Sequence, residues 1–457
     1  MILALLFLVL VTLFGYCVMM VLQPQARFVE RVSLGYLLGW GIFTFSWFLL
    51  NRVGVPYTLK SAFLLILLSI AVPLTYLTIT KARFKIGVQE NAQRLRLALV
   101  QLPGWQKILV GVVCLLLVAP IIPSLYWPVK DWDSVVLYDY RAKTFAATGF
   151  MTEGIAGGYF FGYPLMTSLA HTVFHVAKFP YPGIVHSLFF VALVTLAYTS
   201  LRKNVERGWA LVWTVMIAMS PGLFGHAFMT YTNLAYTAYL VVGYLYLHRW
   251  FIDKNRSTLI ISALLIGMST WTRSAEPFWL LPILLVVGAA VVQRKWLELV
   301  LFPSLVSIFR NTWIRFEQSH LDSSGSLTSN APGYIQLLLK PENYLNIFVV
   351  TQYFFQHVIL PSLMIYLFLA IGIWLFVRSK AYLKPDLVVM GLLIIGNLGL
   401  TFAGIFLFSL YYEDWRSVGG SAQRMSIFFG PLIFYFVAIL SQDKYHIHMK
   451  RFKKGLK

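Results

Sequence analysis

The sequence predicts an all-α, polytopic membrane protein, and three observations carry that prediction. The first is composition: of 457 residues, 59% are hydrophobic and 12% charged, with a mean hydropathy of +0.74. Soluble proteins carry about 25% charged residues. The second is continuity. Ile2 to Leu22, Ser61 to Ile79 and Leu387 to Leu410 are nearly unbroken apolar stretches, long enough to cross a bilayer as helices. The third is the lack of alternating segments of about ten residues, which a membrane barrel would require. Inside lipid only helices and closed barrels satisfy the backbone, so helices remain. A water-soluble globule, a disordered chain, a collagen and a repeat array are excluded.

Charge and cysteine usage narrow the reading. The 37 Lys and Arg outnumber the 17 Asp and Glu, giving a net charge of +20. In a membrane protein such an excess collects on cytoplasmic loops, which speaks for orientation in a membrane and against nucleic acid as a partner. Cys17 and Cys114 both fall in apolar stretches, so neither a disulfide framework nor a thiolate metal site is expected. Met1 opens the first apolar run with no basic segment before it and no small-residue cleavage site after it. That pattern reads as a retained span, not a signal peptide.

Thirteen transmembrane helices are expected: 2–22, 32–50, 59–79, 108–125, 183–201, 209–224, 230–247, 257–271, 277–292, 296–309, 358–377, 387–408 and 425–441. Residues 1–107 form an N-terminal region of three spans closed by a basic loop, 81–107. Residues 108–441 hold the other spans and three long loops, 126–182, 310–357 and 409–424, and residues 442–457 make a basic tail. Segment 162–177 is apolar but short, carries His171 and His175, and is fenced by Pro164 and the Lys178–Pro182 turn. It is expected as an interfacial or partly inserted helix.

That choice sorts the charges. With the chain's start outside, the 81–107 bases fall on the inner face together with Arg27, Arg31, Arg202, Lys203, Arg207, Arg249, Lys254, Arg256, Arg294, Lys295, Arg378, Lys380, Lys384 and the tail. This is the positive-inside pattern of a protein in the cytoplasmic (plasma) membrane. Asp131, Asp133, Asp139, Glu153, Glu276, Glu317, Asp322, Glu342, Glu413 and Asp414 fall outside. Chemistry that needs carboxylates is therefore expected on the outer face. Loops beyond about 15 residues are usually functional or disordered. The first is rich in aromatics, acids and bases. The second opens with Arg310 and Arg315 and runs through the Ser323–Gly333 patch.

Four outer constellations could carry chemistry. Lys130-Asp131-Trp132-Asp133-Ser134 follows the fourth span, and Tyr138, Arg141 and Phe145 come next at helical spacing, with Asp139 and Lys143 beside them. A carboxylate fixed there can take a proton from a hydroxyl or hold a divalent cation. Gly162-Tyr163-Pro164-Leu165 opens the half-buried helix. Thr272-Arg273-Ser274-Ala275-Glu276-Pro277 is a tight turn whose guanidinium suits a phosphate. Tyr412 to Arg424 places Arg416 and Arg424 either side of Gly419-Gly420, which would allow close approach to a ligand. Plainer readings stand beside each: a solvated loop, a helix start, a turn ion pair, belt aromatics. His171 and His175 have metal-ligand spacing, but no third ligand follows, so no metal site is assigned.

In this order, the elements resemble the GT-C superfamily of membrane glycosyltransferases, which includes protein O-mannosyltransferases and aminoarabinose transferases. Trp132-Asp133 with Tyr138, Arg141 and Lys143 looks like that family's first outer loop, and Tyr163-Pro164-Leu165 like the element that follows it. Tyr231-Thr232-Asn233-Leu234-Ala235 looks like a span start of the family, and Thr272 to Glu276 like its turn. Asn233 stands where many relatives have Asp, and Arg273 where they more often have Lys. The resemblance covers about 108–440. It implies transfer of a sugar, with inversion, from a polyprenyl-phosphate-linked lipid donor to a glycan, lipid or protein acceptor on the outer face. It implies Asp133 as general base, with Asp131 as the alternate or a cation ligand. Arg273, Arg424, Arg310, Lys143 and Arg141 are then donor-phosphate residues, and Trp132, Tyr138, Tyr163, Asn233, Glu276 and Arg416 touch substrate. Three other classes stay open. A polymerase or ligase of polyprenyl-linked glycans would lean on outer Arg and His. A transporter or flippase would place ionisable groups at mid-membrane. An assembly subunit would tolerate loss of every outer acid.

Overall fold

The computed structural model describes residues 1–80, 100–151, 163–220, 222–273, 276–320, 336 and 340–455. Most of the expected basic loop 81–107, with Glu153, Tyr159, Gly162, Ser274, Ala275, Asp322 and the Ser323–Gly333 patch, lies outside the described residues. Among the described residues every element is helical. In chain order these are α1 (Ile2–Leu22), α2 (Phe28–Arg52), α3 (Leu59–Ile79), α4 (Gly104–Val118), α5 (Tyr140–Thr148), α6 (Met166–Val176), α7 (Gly183–Asn204), α8 (Arg207–Ala218) and α9 (Thr232–Asp253). Then come α10 (Arg256–Thr272), α11 (Leu280–Val292), α12 (Trp296–His320), α13 (Asn346–Phe354), α14 (Leu363–Arg378), α15 (Pro385–Tyr411), α16 (Gly419–Arg424) and α17 (Gly430–Gly455).

Nine helical stretches among the described residues are long and apolar enough to cross a membrane: 2–22, 28–52, 59–79, 104–124, 183–204, 296–319, 346–378, 385–410 and 419–442. The chain is an integral membrane protein by this measure. The other four expected spans correspond to α8, α9, α10 and α11, which fall short in length or in hydropathy. For α9 and α10 the physical reason is position. α9 packs on α7, α10, α15 and the Met425–Phe428 turn, while α10 packs on α2, α9 and α12. Helices wrapped by protein can carry polar groups that lipid-facing ones cannot, and α9 buries Asn233, Tyr236, Tyr239, Tyr244, Tyr246 and His248. Those hydroxyls tie the bundle together. Tyr239 donates to the Leu37 carbonyl (2.8 Å), and Tyr244 donates to the Phe278 carbonyl (2.7 Å) while accepting from Asn397 (2.9 Å).

One apolar core runs from Ala4 to Leu440 and takes in α1, α2 and α3. The α1–α2 crossing brings two backbones into direct contact. A Cβ on Gly15 would lie 1.9 Å from the Gly35 carbonyl oxygen, and one on Gly39 2.1 Å from that of Val11. Small residues let helix backbones touch and gain dispersion contacts in a medium that offers no hydrophobic drive. At the end of the bundle where α9 finishes, the buried Glu30 of α2 accepts from Lys203 of α7 (2.8 Å) and from Tyr246 (2.6 Å) and Arg249 (3.0 Å) of α9. A carboxylate with three donors is a satisfied charge, which is what makes its burial tolerable.

At the opposite end, where α9 begins, the 126–182 loop folds back on the bundle. A π-helical turn, Ser134–Asp139, leads into α5, and Tyr138, Arg141 and Phe145 are buried on one face. Gly149 closes α5 with a positive φ of 80°. Its carbonyl accepts from the Tyr57 amide (2.7 Å) and the Asn51 side chain (3.0 Å), fastening the loop to the α2–α3 turn. The helix expected within 162–177 is present as α6 and is almost wholly buried, because it packs beneath α5 and against α2.

Gly15→Val should destabilise the protein by about 3 kcal/mol or more, since the added atoms meet backbone that cannot give way. Gly111→Val on α4, where an added Cβ meets nothing within 4 Å, should leave the thermal midpoint in detergent unchanged. Equal midpoints for both variants would contradict the packing argument.

Candidate functional site

The helix ends at the α9 start surround a half-open cavity of about 370 Å³ lined by Asp133, Tyr138, Tyr163, Tyr231, Thr232, Asn233, Arg273, Ser421, Arg424, Met425 and Phe428. Residues from all four constellations meet here. Asp133 comes from the turn before α5, Tyr163 from the approach to α6, Arg273 from the end of α10 and Arg424 from α16.

Two guanidiniums dominate its electrostatics. Arg424 donates to the Asp133 carboxylate (3.2 Å), to the Ser421 hydroxyl (3.0 Å) and to the Gly420 carbonyl (3.2 Å), and stands over the Tyr231 ring at 5.3 Å. Arg273 donates through two nitrogens to Glu276 and through a third to the side-chain oxygen Oδ1 of Asn233. It lies over Tyr163 at 5.2 Å and Phe428 at 5.9 Å. An arginine has five N–H donors, so each guanidinium keeps donors for a ligand. Burial would lower the Arg273 pKa, but the Glu276 charge and the tyrosines beside it raise it above its ordinary value. Its positive charge is locked in. Asn233 is oriented from both sides. His226 Nδ1 donates to the Gly222 carbonyl (2.7 Å), which leaves Nε2 to accept from the Asn233 amide (3.4 Å).

Asp133 is the carboxylate lining the cavity, with 35% of its side chain exposed. It is close enough to Arg424 to be held in place. Tyr138 bonds Thr232 through its hydroxyl (3.1 Å), and burial raises its pKa to about 12. It is a neutral wall.

The remaining sequence-selected residues lie elsewhere. Asp131 lines a separate, neighbouring cavity, and burial together with the Asp133 charge raises its pKa against the pull of Lys130. Trp132 points outward, 76% exposed. Arg141 is fully buried and donates to the Leu137 (3.2 Å) and Tyr163 (2.8 Å) carbonyls. It holds Tyr163 in the cavity wall and does not reach the cavity itself. Burial lowers its pKa to about 10, so it stays charged. Lys143 pairs with Asp139 (2.8 Å). Arg310 lies on α12 over Trp279 at 4.6 Å. Arg416 lines a third cavity with Tyr353 and His357. Glu276 does not line the cavity but is the buried counter-charge of Arg273.

The sequence reading missed how the histidines are used. Asp139, brought inward by the π-helical turn, pairs with His175 (2.7 Å) and lies 3.5 Å from His171, whose Nε2 is 3.1 Å from His186. The i, i+4 spacing of His171 and His175 was visible, but their shared partner sits 32 and 36 residues upstream. Among the described residues no group of three or more His, Cys, Asp or Glu is placed to hold a metal ion. The cluster is a strut. It fixes the turn that carries Asp133 onto α6. Burial would raise the Asp139 pKa, but His171, His175 and Lys143 outweigh it and hold the carboxyl well below the usual range. Burial also lowers the His171 pKa against the pull of Asp139.

No protein-family model, curated protein or solved structure matches the chain.

Both Asp139 and His171 bind protons more readily unfolded than folded, so the stability they contribute is full above the free histidine value of 6.5 and falls as pH drops through it. It falls further below the free carboxyl value of 3.8. Thermal midpoints taken between about pH 8 and pH 4 should decline, and Asp139→Asn should be less stable at the upper end and decline no less steeply, because without the carboxylate nothing offsets the burial that lowers the His171 pKa. A midpoint independent of pH in the native chain would refute the strut.

Proposed function

We propose that the chain is a GT-C-type glycosyltransferase that moves a sugar from a polyprenyl-phosphate-linked donor to a hydroxyl acceptor, with inversion, at the outer face of the cytoplasmic membrane. One observation carries the reading. Asp133, Arg273 and Arg424 line a single cavity at the helix ends, so a base and two phosphate-binding cations stand together where a lipid headgroup would lie. The acceptor hydroxyl gives its proton to Asp133 as its oxygen attacks the anomeric carbon. The bond from that carbon to the phosphate oxygen breaks, and polyprenyl phosphate leaves. Charge growing on the phosphate is met by Arg273 and Arg424, whose remaining N–H donors are preorganised by Glu276, Asn233 and Ser421. An incoming phosphate competes with Asp133 for Arg424, which frees the carboxylate to act as a base.

The orientation follows from the bases at the opposite end. Arg27, Lys203, Arg207, Arg249, Lys254 and Arg256 flank helix termini there, which the positive-inside rule assigns to the cytoplasm. With α8, α9, α10 and α11 also crossing, the chain makes thirteen passes and its tail is cytoplasmic.

Using purified protein and a polyprenyl-phosphate sugar, Asp133→Asn should abolish transfer while donor binding persists. Undiminished turnover would remove Asp133 as base and favour a polymerase or ligase working through arginine and histidine. Arg273→Ala and Arg424→Ala should each cost about two to three decades in rate, by analogy with loss of an oxyanion donor. Losses under threefold in both would contradict the phosphate assignment.

A further inference from the structure

A third cavity lies on a part of the protein that the proposed reaction does not use. Val350, Tyr353 and Val358 pack with Ile405, Phe406 and Ala422 in a small apolar cluster separate from the main core. On this stretch Val349, Gln352, Tyr353 and Gln356 stand at i, i+3, i+4 and i+7, one face of a helix. His357 joins them through the π-helical turn Phe355–Ile359. Pro361 supplies a reason for that turn, since it has no N–H to give the His357 carbonyl four residues back and its ring crowds that carbonyl. Such turns inside helices occur frequently at functional sites.

These five side chains and Arg416 line about 550 Å³ of empty space, of which about 260 Å³ admits the centre of a water molecule. One water needs roughly 10–15 Å³ on that measure, so the cavity has room for a ligand. Its chemistry is one-sided: none of the six lining residues is acidic. The Arg416 guanidinium lies over the Trp415 ring at 5.5 Å. Neither it nor the side chains of Gln352, Gln356 and His357 has a hydrogen-bond or ion-pair partner among the described residues. The Arg416 backbone is nevertheless fixed, because its carbonyl accepts from the Tyr353 hydroxyl (3.1 Å) and the Trp415 ring packs on Tyr353 at 4.8 Å. A free guanidinium with amides beside it suits a phosphate that carries hydroxyls.

The surroundings are those of a bilayer. The stretch 346–378 has 33 residues and is apolar enough to cross a membrane, where about 20 suffice. Phe348 and Phe355, next in the chain to Val349 and Gln356, are 80% and 54% exposed, and Leu360 is exposed one turn further on.

We propose that this cavity binds the headgroup of an anionic glycerophospholipid, of the phosphatidylglycerol kind, at the end of the bundle that carries Asp133. The apolar run 358–377 fills the hydrocarbon thickness and leaves 349–357 at headgroup level. Arg416 takes the phosphate, Gln352 and Gln356 meet the headgroup hydroxyls, and the acyl chains run along Phe355 and Leu360. An ammonium headgroup finds no carboxylate in this lining. The site is distinct from the Asp133 cavity, and α16 faces both. A Cβ on Gly419 would lie 3.0 Å from His357 Nδ1, while Ser421 and Arg424 line the other cavity. The assignment does not rest on the glycosyltransferase reading.

Native mass spectrometry of the full chain in detergent, titrated with phosphatidylglycerol, phosphatidylethanolamine and phosphatidylcholine of one chain length, supplies the test. Phosphatidylglycerol should bind about fivefold more tightly than the other two, the value of one basic side chain near an anionic headgroup. Arg416→Ala should remove that preference and Arg416→Lys should restore part of it. Lys60→Ala, at an exposed base on α3 at the same end, should leave it intact. Equal affinity for the three lipids, or a preference that survives Arg416→Ala or is lost in Lys60→Ala, would overturn the proposal. Displacement of the lipid by millimolar inorganic phosphate or glycerol phosphate would make this a site for a soluble phosphoester. Displacement by polyprenyl phosphate would make it part of the carrier's path. Either result also overturns the phospholipid assignment. Sugar transfer enters none of these readings, so failure of the lipid site and failure of the proposed activity are told apart.

Discussion

The central helix pair, α9 and α10, is enclosed by protein, and the rest of the structure depends on that enclosure. A helix facing lipid must be apolar over its whole circumference, whereas one surrounded by other helices need only satisfy its polar groups. The pair can therefore carry tyrosines, threonines and an asparagine along its length, and can end in Thr232, Asn233 and Arg273 at one face of the bundle. Those ends form the floor of the cavity. The outer helices, α3, α4 and α12 among them, bury little and supply the lipid-facing surface.

Charge is held at both ends of this bundle by the same device, a buried carboxylate paired with basic side chains. Glu30 joins α2, α7 and α9 at one end. At the other, Glu276 fixes Arg273 and Asp139 fixes α5 to α6. Breaking any one of them leaves an unpaired charge in a poorly solvated place, which costs far more than the net value of the pair. The cavity differs in one respect. Its Asp133–Arg424 pair is partly wet, so it can open to a ligand at modest cost. Rigid pairs surround an adaptable one, which is the arrangement a binding site needs.

The helical membrane character was legible because lipid imposes one-dimensional rules: long apolar runs and charges at their ends. Nine expected spans stand as long apolar helices for that reason. Of the four that fall short, α9 and α10 lie where those rules weaken, because burial by protein permits polarity, while α8 and α11 are apolar but short. The site was legible in part. Asp133, Tyr138, Tyr163, Asn233, Arg273 and Arg424 share one cavity, and all come from the ends of apolar segments. The choice failed to separate them from Arg141, Lys143, Arg310 and Arg416, since residue type and proximity to a span end are the same for both sets.

By itself, the order of residues determined that the chain is helical and membrane-embedded, and that its acids and its tight polar turns cluster at span ends. It did so because hydropathy and charge act locally along the chain. Only the tertiary structure decided which of those charges meet. The π-helical turn rotates Asp139 inward to His175, Arg141 is spent on two backbone carbonyls, and Asp131 and Asp133, two residues apart, open into different cavities. Each outcome depends on a partner tens to hundreds of residues away, and no local pattern encodes a partner at that distance.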